Sequence, residues 1–325
     1  MRALVCRRYG PPEDLVIEER ADPIAAAGEI VVDIAAAGIN FPDVLAIAGK
    51  YQVKTPTPFI PGNEAAGTVA AIGDGVSRFT VGDKVIMTPL GGAFAEKCAL
   101  DANLAVPLPA GLDFEQGAGF SITYGTSYHA LTQSTKIKPG ETLLVLGAAG
   151  GVGITAVEIG KALGARVIAA ASSADKLEFA KAAGADELLN YSQAPLKETV
   201  KKLTGGAGAD VVYDPVGGEL AQQALRATAW HGRYLVIGFA SGDIPNFPAN
   251  LALLKEASII GVFWGSWAAR NPGAHAKNVQ EMAELIANGK LRPRVTESYA
   301  LDDFVAAFAA ITERRAKGKV ILRMG

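Results

Sequence analysis

The sequence is poor in the residues that build disulfide frameworks and metal centres. It contains only two cysteines, Cys6 and Cys98, which lie far apart in the chain. Its three histidines, His129, His231 and His275, are scattered. We therefore expect neither a disulfide scaffold nor a cysteine-based zinc site.

An excess of charge of one sign and long apolar runs are also missing. The formal net charge is -2, so no basic surface argues for a nucleic-acid partner. No apolar run is long enough for a membrane-spanning helix, and the start, MRALVCRRYG, lacks the apolar stretch of a signal peptide. We expect a protein without a membrane or nucleic-acid partner, located by default in the cytoplasm.

The composition is that of a well-packed protein, with 50% hydrophobic and 20% charged residues in a chain of 325. That length allows two domains of ordinary size. Short apolar runs of strand type, separated by glycine and proline turns, fill roughly the first 120 residues. They predict a β-rich, barrel-like domain. The runs are 3–6, 15–18, 29–34, 65–72, 84–87 and 93–98.

Strand and helix patterns alternate from residue 142 onwards. The predicted strands are 142–146, 166–171, 187–189, 210–213, 233–237 and 258–263. The predicted helices between them are 151–163, 175–183, 196–203 and 219–228. This alternation predicts a doubly wound parallel sheet with the strand order of a dinucleotide-binding Rossmann fold, so the fold class is α/β.

The tail carries helical patterns at 278–288 and 301–314 and a last strand at 319–322. It follows the complete nucleotide unit, so we expect it to return to the N-terminal domain. The predicted domains are therefore 1–122 with 266–325, and 123–265.

A glycine-rich turn, 147–153, joins the first strand of the predicted parallel sheet to its first helix. Ala148 stands where the usual fingerprint has its first glycine, so the run is A-x-G-x-x-G through Gly150 and Gly153. Backbone N–H groups at such a helix start bind a pyrophosphate, although an ordinary strand-to-helix turn is the alternative. The predicted cofactor contacts here are Ala149, Gly150, Gly151, Val152 and Gly153.

The end of the second strand of this sheet bears on the choice of nicotinamide cofactor. Ser172 and Ser173 follow the strand without a carboxylate, and Lys176 lies close behind. Folds that bind NAD usually place an acidic residue here, whereas small residues and a cation suit a 2′-phosphate. The pattern favours NADPH over NADH. The alternatives are a helix-capping role for Asp175 and a solvated surface position for Lys176.

Six motifs, taken together and in this order, resemble those of a known family. They are GINFPD at 38–43, PGNEAAG at 61–67, VGDKV at 81–85, GAAGGVG at 147–153, VVYDPVGG at 211–218 and GKV at 318–320. The chain resembles the zinc-free quinone oxidoreductases of the medium-chain dehydrogenase/reductase superfamily over essentially its whole length. The resemblance implies a GroES-like catalytic domain, a Rossmann domain and a nicotinamide cofactor in a cleft between them.

The resemblance also implies where the chemistry occurs. Asn40 and Asn63 stand where the zinc-dependent branch has its cysteine and histidine ligands, and an amide is not a usual zinc ligand. The resemblance implies that Asn40 is catalytic and contacts the cofactor, and that Tyr51 donates a proton or lines the pocket. The alternatives are a turn residue for Asn40 and a half-buried loop aromatic for Tyr51. We expect Asn63, Glu64, Phe263 and Trp264 to line the substrate pocket, and Glu64 and Asp43 are also candidates for polar scaffolding.

Further cofactor contacts follow from the resemblance alone. They are Thr126, Tyr191, Gly238, Phe239, Phe263 and Lys319, each of which is also plausible as a core or turn residue.

The predicted function is NADPH-dependent, metal-free transfer of hydride to quinones or α,β-unsaturated carbonyl compounds. A site without zinc lacks a Lewis acid, so it suits an acceptor whose carbonyl oxygen collects charge beside hydrogen-bond donors. One alternative is an enoyl-thioester reductase, such as an acryloyl-CoA reductase, with Lys50, Lys54 and Arg270 holding the CoA phosphates. Another is a non-catalytic NADPH-binding redox sensor.

The sixth strand of the parallel sheet, 258–263, is apolar for a strand at a sheet edge. Exposed apolar edges favour pairing with another chain, and in the resembling superfamily this edge commonly joins two subunits. We therefore expect a homodimer formed through 258–263.

Overall fold

A computed structural model describes all residues from 1 to 325. The chain divides into two compact units, one of residues 1–122 with 293–325 and one of residues 123–292. Residues 266–292 therefore belong to the second unit and not, as expected from the sequence, to the first. Two side-chain contacts explain this correction, because Tyr128 Oη donates to Glu281 at 2.8 Å and Gln133 Nε2 donates to Asn278 at 2.9 Å.

Fifteen strands and eleven α-helices make up the two units. The strands are β1 (Arg2–Val5), β2 (Val16–Glu19), β3 (Glu29–Ile39), β4 (Ala65–Ile72), β5 (Lys84–Met87), β6 (Lys97–Asp101), β7 (Ala105–Pro107), β8 (Thr142–Leu146), β9 (Arg166–Ala171), β10 (Glu187–Asn190), β11 (Ala209–Asp214), β12 (Thr228–Val236), β13 (Ser258–Gly261), β14 (Val295–Ala300) and β15 (Lys319–Arg323). The helices are α1 (Phe41–Ile47), α2 (Phe114–Ala118), α3 (Ser121–His129), α4 (Gly151–Ala162), α5 (Ala174–Ala182), α6 (Leu196–Leu203), α7 (Gly218–Ala227), α8 (Ala249–Lys255), α9 (Trp264–Arg270), α10 (Pro272–Ala287) and α11 (Phe304–Thr312).

The first unit is built around β3, which is eleven residues long. β3 pairs antiparallel with β4, β6 and β15, and the sheet continues in the order β14-β15-β3-β4-β5-β7. A separate pair, β1 and β2, completes the strands of this unit. The core beneath them is apolar and includes the edge-to-face pair Phe94 and Phe308. This is the β-rich domain that the sequence predicts, with the C-terminal strand added to it.

The second unit contains a six-stranded parallel sheet in the order β10-β9-β8-β11-β12-β13. Numbered within this sheet, that order is 3-2-1-4-5-6, the order of a Rossmann fold. Residues 143–146 of β8 are fully buried, as expected for a central strand covered by helices on both faces. The predicted α/β fold class, with its GroES-like and Rossmann parts, is confirmed.

Several local structures differ from the prediction, for example the unpredicted α8 and β14. Helix α1 was not predicted, because Asn40 was interpreted as a possible turn residue. The run 93–98 becomes regular strand only at Lys97, since Ala95 makes an isolated bridge with Ala3. β13 ends at Gly261, and α9 begins at Trp264.

None of the helices combines the length and the apolar character needed to cross a membrane.

Candidate active site

Asn40 lies at the junction between β3 and α1. It is the N-cap of α1, and Pro42 in the first turn suits a helix start. The carboxylate of Asp43 accepts the Asn40 backbone N–H through Oδ2 at 2.7 Å. The other oxygen, Oδ1, accepts from the side-chain nitrogen of Asn63 at 2.8 Å. One buried carboxylate therefore holds both asparagines in place.

Asp43 is completely buried, and burial raises the pKa of its carboxyl group to about 6. The hydrogen bonds from the Asn40 backbone and the Asn63 amide oppose this rise, since they favour the charged form. Asp43 therefore titrates in a pH range where an exposed aspartate is already ionised.

Lys319 reaches the same corner from β15. The antiparallel register pairs Val320 with Ile39, so Lys319 lies beside Asn40. Its Nζ donates to Asn40 Oδ1 at 2.5 Å and forms an ion pair with Glu64 Oε1. Glu64 Oε1 also accepts from Asn40 Nδ2 at 2.9 Å, and Glu64 Oε2 accepts the backbone N–H of Ile122 at 2.9 Å. Asn40, Glu64 and Lys319 thus form a closed, buried triangle, here called the Asn40 triangle.

This geometry changes what the predicted residues are able to do. Asn40 Oδ1 is bound by Lys319, and one N–H of Nδ2 is bound by Glu64. The remaining N–H of Nδ2 faces the Gly38 carbonyl at 3.4 Å, which is a long and weak hydrogen bond. One N–H of Asn40 Nδ2, here called the free N–H, therefore has this long hydrogen bond as its only contact. Lys319, expected to contact the cofactor, has its ammonium engaged within the first unit.

Tyr51 lies in the turn after α1, where its backbone N–H donates to Leu45 O at 3.1 Å. Its side chain is half-buried. Burial, with a smaller contribution from the charge of Asp43, raises the pKa of the Tyr51 phenol above its usual value. The hydroxyl is therefore protonated at neutral pH and is chemically able to donate.

The side chains of this corner are amides, carboxylates and one ammonium group. No group of three or more histidine, cysteine, aspartate and glutamate side chains is arranged to hold a metal ion. Cys6 and Cys98 are both buried and unpaired.

The glycine turn of the second unit has the geometry of an anion-binding loop. Gly147 adopts a φ of +55°, and Gly150 is the N-cap of α4 without a side-chain cap. The N–H groups of the first turn, at Gly151, Val152 and Gly153, lie at the positive end of the helix dipole. A Cβ on Gly153 would lie 2.2 Å from Gly147 O, so only glycine allows this close turn. The turn therefore fits a pyrophosphate group.

The ends of β9 and β10 bring three predicted cofactor residues to one edge of the sheet. The Tyr191 backbone N–H donates to Ala171 O at 3.2 Å, so Tyr191 lies beside the end of β9. Ser172 and Lys176 follow that strand, and all three side chains are half-buried. Asp175 lies in the first turn of α5, where its carboxylate accepts from the N-cap residue Ser173 at 2.5 Å. This contact joins two side chains, and no side chain of the N-cap residue bonds to the helix backbone, so it does not test the helix-capping alternative for Asp175.

The remaining predicted residues of the second unit differ in exposure. Thr126, Gly238 and Phe239 are half-buried, and Phe263 is 59% exposed. Trp264 was expected to line the substrate pocket, but its indole is buried. It lies 2.6 Å from the place that a Cβ on Gly125 would occupy, and it contacts His275 edge-to-face. In the second unit it packs against these residues, and its buried Nε1 has no hydrogen-bond partner.

Sequence reasoning missed two interactions. Lys319 and Asn40 are 279 positions apart, and no local pattern links them. Ser127 Oγ lies 2.7 Å from both Tyr213 Oη and Thr155 Oγ1, which joins three elements of the second unit. The capping of α1 did have a signal, because Asn40 and Asp43 are three residues apart with Pro42 between them.

Two family models match the chain. One, described as an alcohol dehydrogenase GroES-like domain, matches residues 26–110. The other, described as a zinc-binding dehydrogenase, matches residues 151–288.

Named relatives cover nearly the whole chain. Quinone oxidoreductase-like protein 2 of Bos taurus is 38% identical over 99% of this chain and 92% of the relative. The structure of Escherichia coli quinone oxidoreductase in complex with NADPH is 31% identical, with a TM-score of 0.93 and complete coverage of both chains. The structure of the CurK enoyl reductase is 28% identical, with a TM-score of 0.90 over 100% of this chain and 99% of that one.

The matched family models and the full-length relatives show that the chain belongs to the quinone oxidoreductase family of the medium-chain dehydrogenase/reductase superfamily.

Proposed function

We propose that this chain is an NADPH-dependent, zinc-independent reductase that transfers hydride to quinones or α,β-unsaturated carbonyl compounds. The observation that carries the proposal is the Asn40 triangle, in which one amide N–H of Asn40 makes only a 3.4 Å contact with Gly38 O among buried polar groups. Its donors suit a carbonyl oxygen that gains negative charge during reduction. The family relationship and the NADPH complex of the Escherichia coli relative support the choice of chemistry and cofactor.

The reaction needs one hydride and one proton for each acceptor molecule. NADPH, when bound, supplies the hydride. In our proposal, the free N–H of Asn40 donates to the acceptor oxygen as that oxygen becomes negative. The Tyr51 hydroxyl, which its raised pKa keeps protonated at neutral pH, supplies the proton and recovers it from solvent. The second unit binds the cofactor through the N–H groups at the start of α4, and Ser172, Lys176 and Tyr191 bind its 2′-phosphate.

Steady-state kinetics test this proposal directly. Oxidation of NADPH is followed by its absorbance with a simple quinone and a simple enone, and the same assays are run with NADH. We expect turnover with NADPH and a markedly lower kcat/KM with NADH. Failure to oxidise either cofactor with any member of the panel would exclude the reductase function.

Replacing Asn40 tests the role of its amide. Asn40→Ala should lower kcat on the order of 100-fold, as removal of one oxyanion donor does in other enzymes. A matched control is Lys97→Met, since Lys97 forms an ion pair with Asp33 at 2.6 Å on the surface of the same unit. This variant should retain the wild-type kcat. An Asn40→Ala enzyme with unchanged kcat would remove Asn40 from the mechanism.

An enoyl-thioester reductase is the second candidate, supported by the likeness to the CurK enoyl reductase. Lys50, Lys54 and Arg270 are exposed and therefore accessible to CoA phosphates. Comparing kcat/KM for acryloyl-CoA with that for a quinone decides between the two substrates. Tight NADPH binding without oxidation by any acceptor would instead favour the redox-sensor alternative.

We also propose that the enzyme works as a homodimer joined through β13 and that it is located in the cytoplasm. The exposed side chains of this edge strand support the dimer. Fractionation of cells that express the tagged chain tests the location.

A further inference from the structure

Lys319 is a buried lysine with an enclosed side chain. Only 6% of its side chain is exposed. A Cβ on Gly38 would lie 2.7 Å from Lys319 Cε, and a Cβ on Gly119 would lie 2.6 Å from Lys319 Cγ. Two glycines therefore make room for the lysine stem, and the fold directs the ammonium to one place.

The ammonium has a particular effect on the Asn40 amide. The oxygen and nitrogen ends of an asparagine amide have nearly the same shape, so hydrogen-bond partners decide which way the group points. An ammonium only donates and an ionised carboxylate only accepts. Lys319 therefore binds Oδ1, Glu64 binds Nδ2, and both contacts select the same orientation.

In this orientation, the amide group that is not bound by Lys319 or Glu64 is an N–H donor. The second N–H of Nδ2 makes only the 3.4 Å contact with Gly38 O. With the amide reversed, Oδ1 would face the Glu64 carboxylate, Nδ2 would face the ammonium, and both contacts would be repulsive. The free position would then be an acceptor, which repels a negative oxygen.

We propose that Lys319 is a positioning residue of the reductase, which holds the Asn40 amide in the orientation whose free N–H is able to donate to the acceptor oxygen. This inference rests on the proposed function. In this inference Lys319 acts by orienting Asn40. It does not contact the cofactor, although the family resemblance implied such a contact. A buried ion pair is often no more stabilising than an apolar pair of similar volume. In the Asn40 triangle, the ion pair of Lys319 and Glu64 instead fixes the orientation of the Asn40 amide.

A double-mutant cycle tests the proposal. The neutral pair Glu64→Gln/Lys319→Met removes both charges together, so no lone carboxylate remains buried. It is compared with Asn40→Ala and with the triple variant. We expect the neutral pair to lower kcat at least about tenfold, as misplacement of a reacting group does, with the Kd for NADPH within about twofold of wild type. In the Asn40→Ala background, the neutral pair should change kcat by no more than about twofold, because Lys319 acts through Asn40.

Each other outcome has a defined meaning. Losses of kcat that multiply in the triple variant would overturn the proposal, because Lys319 would then act independently of Asn40. A raised Kd for NADPH with unchanged kcat would also overturn it and make Lys319 a cofactor contact. If wild type reduces no quinone or enone, the proposed function fails and this inference fails with it. An active wild type with a multiplicative cycle overturns the positioning role alone.

The test also needs a check of folding, a substitute variant and a control variant. Circular dichroism and the Tm of each variant establish that it is folded. If the neutral pair does not fold, Lys319→Gln replaces it in the cycle, because its amide both donates and accepts and no longer selects one orientation of Asn40. The same results are expected. Lys97→Met is again the control for loss of a lysine from the first unit.

Discussion

At the scale of single residues, Asp43 makes the stability of the protein depend on pH. Its pKa is raised from 3.8 to about 6 by burial, so the folded state binds a proton more tightly than the unfolded state. The folded protein is therefore favoured at low pH, and this contribution is lost as pH rises from about 4 to about 6. Above that range Asp43 is ionised in the folded protein. Its carboxylate is then stabilised by hydrogen bonds from the Asn40 backbone N–H and the Asn63 side-chain amide.

Asp43→Asn should remove this pH dependence. We expect the stability of the variant relative to wild type to increase by about 2 kcal/mol between pH 4.5 and pH 7.5, since wild type alone has to ionise a buried carboxyl group. Urea unfolding of both proteins at the two pH values measures the difference, and other titrating groups cancel in the comparison. A constant difference between the two proteins would contradict the raised pKa.

The residue types of this corner were accessible from the sequence, but their partners were not. The amides at Asn40 and Asn63 were recognised because they occupy motif positions of a known family. The ion pair of Lys319 with Glu64 joins β15 to the segment just before β4, and such a pairing depends on sheet register. The burial of Trp264 depends on the absence of a side chain at Gly125, a packing relation between distant segments.

At the scale of elements, the β8–turn–α4 unit depends on glycine at position 153. A Cβ there would meet Gly147 O at 2.2 Å and Gly147 C at 2.9 Å, both backbone atoms that have little freedom to move. Gly153→Ala should therefore lower the free energy of unfolding by more than about 2 kcal/mol and weaken NADPH binding. Urea unfolding and fluorescence titration measure the two effects.

Gly150→Ala is the matched control in the same turn. The nearest atom to its Cβ would be Gly147 O at 3.4 Å, an ordinary contact, and its φ of -75° suits any residue. Its stability should stay within about 1 kcal/mol of wild type, the usual range for an N-cap change. Equal losses for the two variants would mean that the close approach at Gly153 is not what limits the turn.

Elements with a strong apolar pattern were predictable, and elements that depend on capping or on a neighbouring strand were not. The strand 166–171 and the helix 196–203 have the predicted bounds because apolar spacing alone determines them. Helix α1 is seven residues long and depends on capping, and β14 pairs with β15 although its own residues are only partly buried. Such elements form through their neighbours, so their own sequence carries a weak signal.

At the scale of the whole molecule, β13 is the feature on which the proposed homodimer rests. It is the edge strand of the parallel sheet, and one of its sides has no strand partner. Ile259 on β13 is 37% exposed, and Leu253 and Leu254 just before it are 77% and 65% exposed. An apolar edge of this kind favours pairing with the same edge of a second copy, which extends the sheet across two chains.

Sedimentation velocity tests the dimer. Wild type should sediment as a dimer, and Ile259→Lys should sediment as a monomer, because a lysine on an edge strand opposes pairing of two strands. The control is Leu90→Lys, since Leu90 is 92% exposed in the other unit and the substitution adds the same charge. It should remain dimeric. A monomeric wild type, or an Ile259→Lys variant that stays dimeric, would show that β13 does not join the subunits.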